Sequence, residues 1–260
     1  MKAEEGQTQI GDFLVEYAGY SDTGSVRSIN EDDFLLLPDK GVFCLTDGLG
    51  GEEHGEIASA IALESIKTLI ATPGRVSLFS FRKKSCSLRQ MIHHANKSVY
   101  EKRRSLRLNA AATIVMLQVN ATGVEVANVG DSRMYQWNGQ SLIQCTRDHS
   151  LIEELCRDNI LSREQTDNHP QRHIITRALG AKSEIQAYIK KIDIQKGNLI
   201  LLCSDGLTTM LAHREIESIF SRYHTDVQRT GRALITAAND AGGRDNITVI
   251  LLHLNTNNCH

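Results

Sequence analysis

Four aspartates stand where apolar runs end or begin, and this pattern constrains the fold more than any other feature. "FCLTDGLGG" (43–51) closes an apolar run on Asp47, "VANVGDSR" closes another on Gly130-Asp131, and "LILLCSDGL" a third on Asp205-Gly206. "GRDNITVILL" sets Asp245 just before a fourth run. One such aspartate is an ordinary turn former, because its short side chain bonds the local backbone. Four are not explained that way, since clustered carboxylates repel one another unless a cation joins them. A packed sheet edge can hold them rigidly and still expose them. Hard oxygen donors without a matching His or Cys set favour Mg²⁺ or Mn²⁺ over zinc or copper. Glycine beside Asp47 and Asp205 also lets the backbone carbonyl approach an ion or its waters. The expectation is a two-metal site with oxygen ligands.

The runs themselves predict the framework. Strand-like segments occupy 13–20, 41–46, 112–119, 123–130, 133–137, 184–194, 198–205 and 247–254. VNATG (119–123) and WNGQ (137–140) read as tight turns, the second because Asn-Gly accepts positive φ. Helical periodicity covers 55–71, where Ile57, Ile61, Ile66 and Leu69 recur near the 3.6 spacing, and then 87–103, 150–157, 213–221 and 226–241. Helices arrive in pairs rather than after every strand. That predicts an α+β fold of mostly antiparallel sheets flanked by helices, not a doubly wound parallel sheet. No linker interrupts the chain, so residues 1–260 are expected to form a single domain.

Charge and cysteine usage exclude several classes. A net charge of −2 gives no global electrostatic case for nucleic acid or an anionic membrane. RKK (82–84) and KRR (102–104) read as solvated surface rather than the basic groove of a metal-dependent nuclease. The first residues lack the apolar core of a signal peptide, and no apolar run approaches the ~20 residues needed to cross a bilayer. Six irregularly spaced cysteines, with no CxxC pair, read as reduced thiols of a cytoplasmic protein. The upstream stretch "SDTGSVRSINEDDF" (21–34) places Arg27 four and five positions before Glu31 and Asp32. A planar guanidinium suits bidentate contact with phosphate, and the acidic pair can hold waters or take a proton. A surface loop with an internal ion pair is the competing reading of that stretch alone.

Taken together, "TGSVRSINEDDF", "CLTDGLGG…GEIAS", "ANVGDSRMY", "RDHS", "ITRALG", "LLCSDGL" and "GRDNITVILL" occur in the order that resembles metal-dependent Ser/Thr protein phosphatases of type 2C, in their bacterial form. The resemblance spans residues 20 to 254. It implies a sandwich of two antiparallel sheets flanked by helices, with the metals at one end, a detail that periodicity does not supply. It implies hydrolysis of phosphoserine and phosphothreonine in proteins by a water activated between two Mn²⁺ or Mg²⁺ ions, opposing a Ser/Thr kinase. Position by position, it makes Asp47 the ligand shared by both metals and assigns the Gly48 carbonyl to the second, Asp205 and Asp245 to the first. Glu31 and Asp32 sit on metal-bound waters, Asp32 being the catalytic acid–base candidate, and Arg27 holds the substrate phosphate. Asp131, with Asp205, forms a weaker third-metal site. The expected protein is a cytoplasmic monomer acting on phosphorylated proteins, without nucleic acid or membrane.

Three positions depart from the pattern. Leu49 stands where animal members carry a histidine proposed as general acid, Glu52 where a histidine is frequent, and Ala111-Ala112-Thr113 where Gly-Thr-Thr is common. None removes a ligand, which argues against the alternative of a catalytically silent phosphoprotein- or kinase-binding module on the same fold. Residues 151–190 correspond to the family's variable flap. Its His169 and His173 are read as making local hydrogen bonds, and His149 as orienting the loop near the metals without being part of the site.

Overall fold

Strands that are apolar at every position must be covered on both faces, and the computed structural model shows what covers them. It describes residues 1–50, 54–72, 86–121, 123–162, 169–171, 173–194, 197–223 and 226–256. One sheet has the order β1 (Lys2–Ile10), β2 (Phe13–Asp22), β13 (Ile247–Thr256), β12 (Asn198–Cys203), β9 (Arg133–Trp137) and β10 (Leu142–Gln144). The other runs β11 (Tyr188–Ile192), β8 (Gly123–Val129), β7 (Ile114–Asn120), β4 (Val42–Thr46) and β3 (Asp33–Leu37). A two-residue pair, β5 (Gly48–Leu49) with β6 (Ala111–Ala112), completes the antiparallel pairings.

Side chains alternate between the faces of a strand, so each central strand feeds two cores. From β12, Ile200 and Leu202 point between the sheets with Leu117, Leu45, Ile250 and Met134. Its Leu199, Leu201 and Cys203 point outward, under α4 (Asp205–Met210), α5 (His213–Tyr223) and α6 (Val227–Asp240). On the opposite outer face, Val42, Cys44, Ile114 and Met116 pack under α1 (Gly55–Ala71) and α2 (Leu88–Leu106). The result is the expected α+β sandwich with helices on both sides.

The predicted helices recur within a few residues of their expected bounds; α2 opens on a capping box in which Ser87 and Gln90 bond each other's backbone N–H groups. The 119–123 turn joins β7 to β8 and the 137–140 turn joins β9 to β10. In the second, Gly139 takes φ +92° and Asn138 Oδ1 accepts from the N–H groups of Gln140 and Ser141. Among the described residues, β1, β3, β5, β10, the six-residue α4 and a 3-10 turn at Pro38–Lys40 were not anticipated. β1 is a polar edge strand, KAEEGQTQI, paired with β2 from Lys2–Ser21 to Ile10–Phe13. β1 lies along the edge of its sheet with none of its residues buried, so it carries little apolar signal.

Candidate metal centre

Antiparallel register sets where the strand ends fall. Asp22 lies opposite Ile247, Asp33 opposite Thr46, and Cys203 opposite Arg133. The ends of β2, β4, β8 and β12 therefore share one end of the sandwich with the starts of β3, β9 and β13. All the residues singled out from sequence sit on these connections. Arg27, Glu31 and Asp32 lie between β2 and β3; Asp47 and Gly48 follow β4; Asp131 links β8 to β9; Asp205 begins α4; Asp245 precedes β13.

Backbone contacts are close here because glycine permits them. The Gly48 N–H donates to the Glu31 carbonyl at 3.1 Å, and the Gly55 N–H at the start of α1 donates to Glu31 Oε1 at 3.0 Å. A Cβ on Gly48 would lie 2.3 Å from the Gly55 carbonyl oxygen, so neither strand end nor helix start tolerates a side chain there. Thr113 N donates to the Asp47 carbonyl at 2.8 Å, placing the departure Ala111-Ala112-Thr113 directly against Asp47-Gly48-Leu49. Glu52 lies outside the described residues.

Charge is concentrated to the point of self-repulsion. Burial pushes the Asp47 carboxyl well above its ordinary range, and Asp32, Asp205, Asp131 and Asp245 push it further. Burial, then Asp205 and Asp245, raise Asp32 to about 7 against the hydrogen bonds of Ser204 and Thr248. Burial, then Asp205 and Asp148, raise Asp131 to about 7. Asp205 is raised by burial and by Asp245, although its contact with the Asp47 carboxyl holds it down. Burial also raises Glu31, offset by the Gly55 N–H and by Arg27.

Among the described residues, no three Asp, Glu, His or Cys side chains already stand ready to grip one ion. Two of the carboxylates already have protein partners. Arg27 Nη2 holds Asp245 Oδ2 at 2.9 Å, and Ser204 Oγ donates to Asp32 Oδ2 at 2.7 Å. The donor set nonetheless fits hard divalent cations: it consists of oxygens, it is crowded with like charge, and burial makes that charge costly without a counter-ion.

Sequence reasoning missed the groups that hold this loop system in place. Ser204, buried just before Asp205, bridges the sheets by donating to Asp32 and accepting from Thr248 N at 3.0 Å. Asn246, also buried, accepts from Glu31 N and donates to the carbonyls of Thr23 and Ile29. Their only sequence signal is adjacency to a marked aspartate. His149 orients its loop as expected: its Nδ1 accepts from Gly130 N at 3.2 Å, and burial lowers its pKa to about 4. His169 accepts locally from Gln171 N. His173 lines a hollow of about 760 Å³ with Asp131, Asp205, Arg133, Asp148 and His213.

The family model described as "Protein phosphatase 2C" matches residues 24–239. The chain is 35% identical over 237 residues to the serine/threonine phosphatase stp of Listeria monocytogenes, covering 89% of this chain and 93% of that one. Its fold matches the serine/threonine phosphatase PstP/Ppp of Mycobacterium tuberculosis with a TM-score of 0.80 at 27% identity, over 93% of this chain and 99% of that one. It also matches a PstP catalytic domain in complex with two manganese ions, with a TM-score of 0.76 at 26% identity, over 94% and 99% of the two chains.

Proposed function

The chain belongs to the protein phosphatase 2C family, and from that premise we propose how its own residues carry the reaction. It is a metal-dependent protein phosphatase with a dinuclear metal site, acting on phosphoserine and phosphothreonine in proteins. The assignment of residues rests on one observation: Asp32, Asp47, Asp131, Asp205 and Asp245 all lie on connections at a single end of the sandwich, beside Arg27.

Asp47 would be the carboxylate shared by the two ions, Asp205 and Asp245 would complete the first set, the Gly48 carbonyl would serve the second, and Glu31 would hold metal-bound water. Asp131, with Asp205, supplies a weaker third site. When bound, the two cations supply Lewis-acid charge that activates a water for in-line attack and offsets charge on the phosphoryl oxygens. Arg27, half-exposed at the rim, swings from Asp245 to the substrate phosphate, where two parallel N–H donors match two oxygens. Asp32, anchored by Ser204, holds or moves a proton at its carboxyl group. Leu49 offers no proton to the leaving alkoxide, so that proton comes from elsewhere in the site.

The chain acts as one catalytic domain, a cytoplasmic monomer that opposes a Ser/Thr kinase. No helix among the described residues is long and apolar enough to cross a membrane. The test is phosphate release from a phosphothreonine peptide, with Mn²⁺ titrated in and then removed by EDTA, in wild type, Asp47→Ala and Asp205→Ala. Turnover that needs Mn²⁺ and vanishes in both folded variants is expected. Full turnover in either variant contradicts the ligand set.

A further inference from the structure

The loop that carries Arg27 does not hold itself in place. Residues 25–29 are exposed, with Val26 and Ile29 at 67% and 52%. An arginine on such a segment would sample many positions, yet phosphate recognition needs its guanidinium within a fraction of an ångström. Something buried has to fix both ends of the segment.

We propose that Asn246 is the positioning residue for Arg27. Its side chain is 4% exposed, and its amide is fully committed to backbone on both sides of Arg27. Nδ2 donates to the Thr23 carbonyl and the Ile29 carbonyl, each at 2.9 Å, and Oδ1 accepts from Glu31 N at 2.7 Å. One amide thus ties the residues before, after and just beyond Arg27 to a single point. The Gly243 carbonyl adds a second hold, accepting from Ser25 N at 2.7 Å and Val26 N at 3.2 Å. Asn246 is itself held closely: it immediately precedes the buried β13, and its carbonyl lies so close to Gly206 that a Cβ there would stand 1.9 Å from it. The amide therefore transmits the position of the strand end, with Asp245 and Asp205 beside it, to the phosphate-gripping loop. No other side chain supplies this donor–acceptor pattern at this length: aspartate keeps the acceptor and loses both donors, and glutamine adds a methylene to a filled site.

This inference rests on the assignment of Arg27 to the phosphate. The test is a double-mutant cycle on the Mn²⁺-loaded protein, read as the inhibition constant of inorganic phosphate against a phosphothreonine peptide. Arg27→Ala and Asn246→Ala should each weaken phosphate by about tenfold or more, and the double variant should stay within about threefold of the worse single one, because one residue acts through the other. A purely structural Asn246 predicts losses that multiply, and that result overturns the proposal. So does unchanged phosphate inhibition in Asn246→Ala while Arg27→Ala weakens it. Unchanged inhibition in Arg27→Ala instead overturns the assignment on which the inference rests. If melting shows that Asn246→Ala does not fold, Asn246→Asp takes its place in the cycle: it keeps the acceptor for Glu31 N and removes both donations. It should weaken phosphate to the same degree, and unchanged inhibition there contradicts the proposal.

Discussion

The same strands carry two opposite kinds of region. Midway along β7 and β12, Leu117 and Leu202 are fully buried between the sheets, where every contact is apolar and satisfied. A few residues on, β4, β8 and β12 run out into Asp47, Asp131 and Asp205, whose carboxyls burial and mutual repulsion push upward. The interior makes the stability, and the end gives some of it up to hold like charges apart until cations arrive. Substitutions that only remove atoms should therefore have opposite consequences in the two regions.

The largest effect should come from the end. Asp47→Asn should lower turnover on the order of 1,000-fold or more, since it removes the ligand proposed to be shared by two ions. It should also raise the melting temperature of the EDTA-treated protein, by relieving repulsion from four neighbouring aspartates. A lower metal-free melting temperature would break the comparison. In the interior, Leu202→Ala should cost about 2–5 kcal/mol by leaving a cavity between the sheets. Denaturant titration should give the same loss with EDTA as with Mn²⁺.

pH sharpens the contrast. Asp32 and Asp131 sit at about 7 in the folded protein against an ordinary 3.8. The folded state then keeps protons that the unfolded chain has released, so this stability is complete below about pH 4 and is lost as pH rises through 7. EDTA-treated protein should melt lower at pH 8 than at pH 5, and Mn²⁺ should flatten that slope. A metal-free melting temperature that rises with pH over this range would count against the account. Smaller still, Ser204→Ala should cost about 1–3 kcal/mol, because it leaves Asp32 and Thr248 N without their buried partner. At the bottom of the scale, Glu101→Gln breaks only a surface pair with Lys97 at 3.9 Å and should shift stability by less than ~0.5 kcal/mol.

The two regions also differed in how legible they were. LILLC announced β12 because a strand covered on both faces is apolar throughout, and Asp47, Asp131, Asp205 and Asp245 stood out because each interrupts such a run. β1 stayed hidden because none of its residues is buried, so its sequence is polar. The ion pair between Arg27 and Asp245 joins residues 218 positions apart, and nothing local encodes it. Asn246 was harder still: its partners are two carbonyls and an N–H that any residue could supply, so only the folded loop reveals them. What was readable was chemistry that repeats along the chain, and what was not was chemistry made by register.

The central claim, that the acid end of the sandwich is completed by divalent cations held through Asp47, is tested most directly by calorimetric titration of Mn²⁺ into metal-free wild type and Asp47→Asn. The account predicts about two ions bound by wild type and binding lost at both sites in the variant. Two ions bound by Asp47→Asn with wild-type affinity would contradict it.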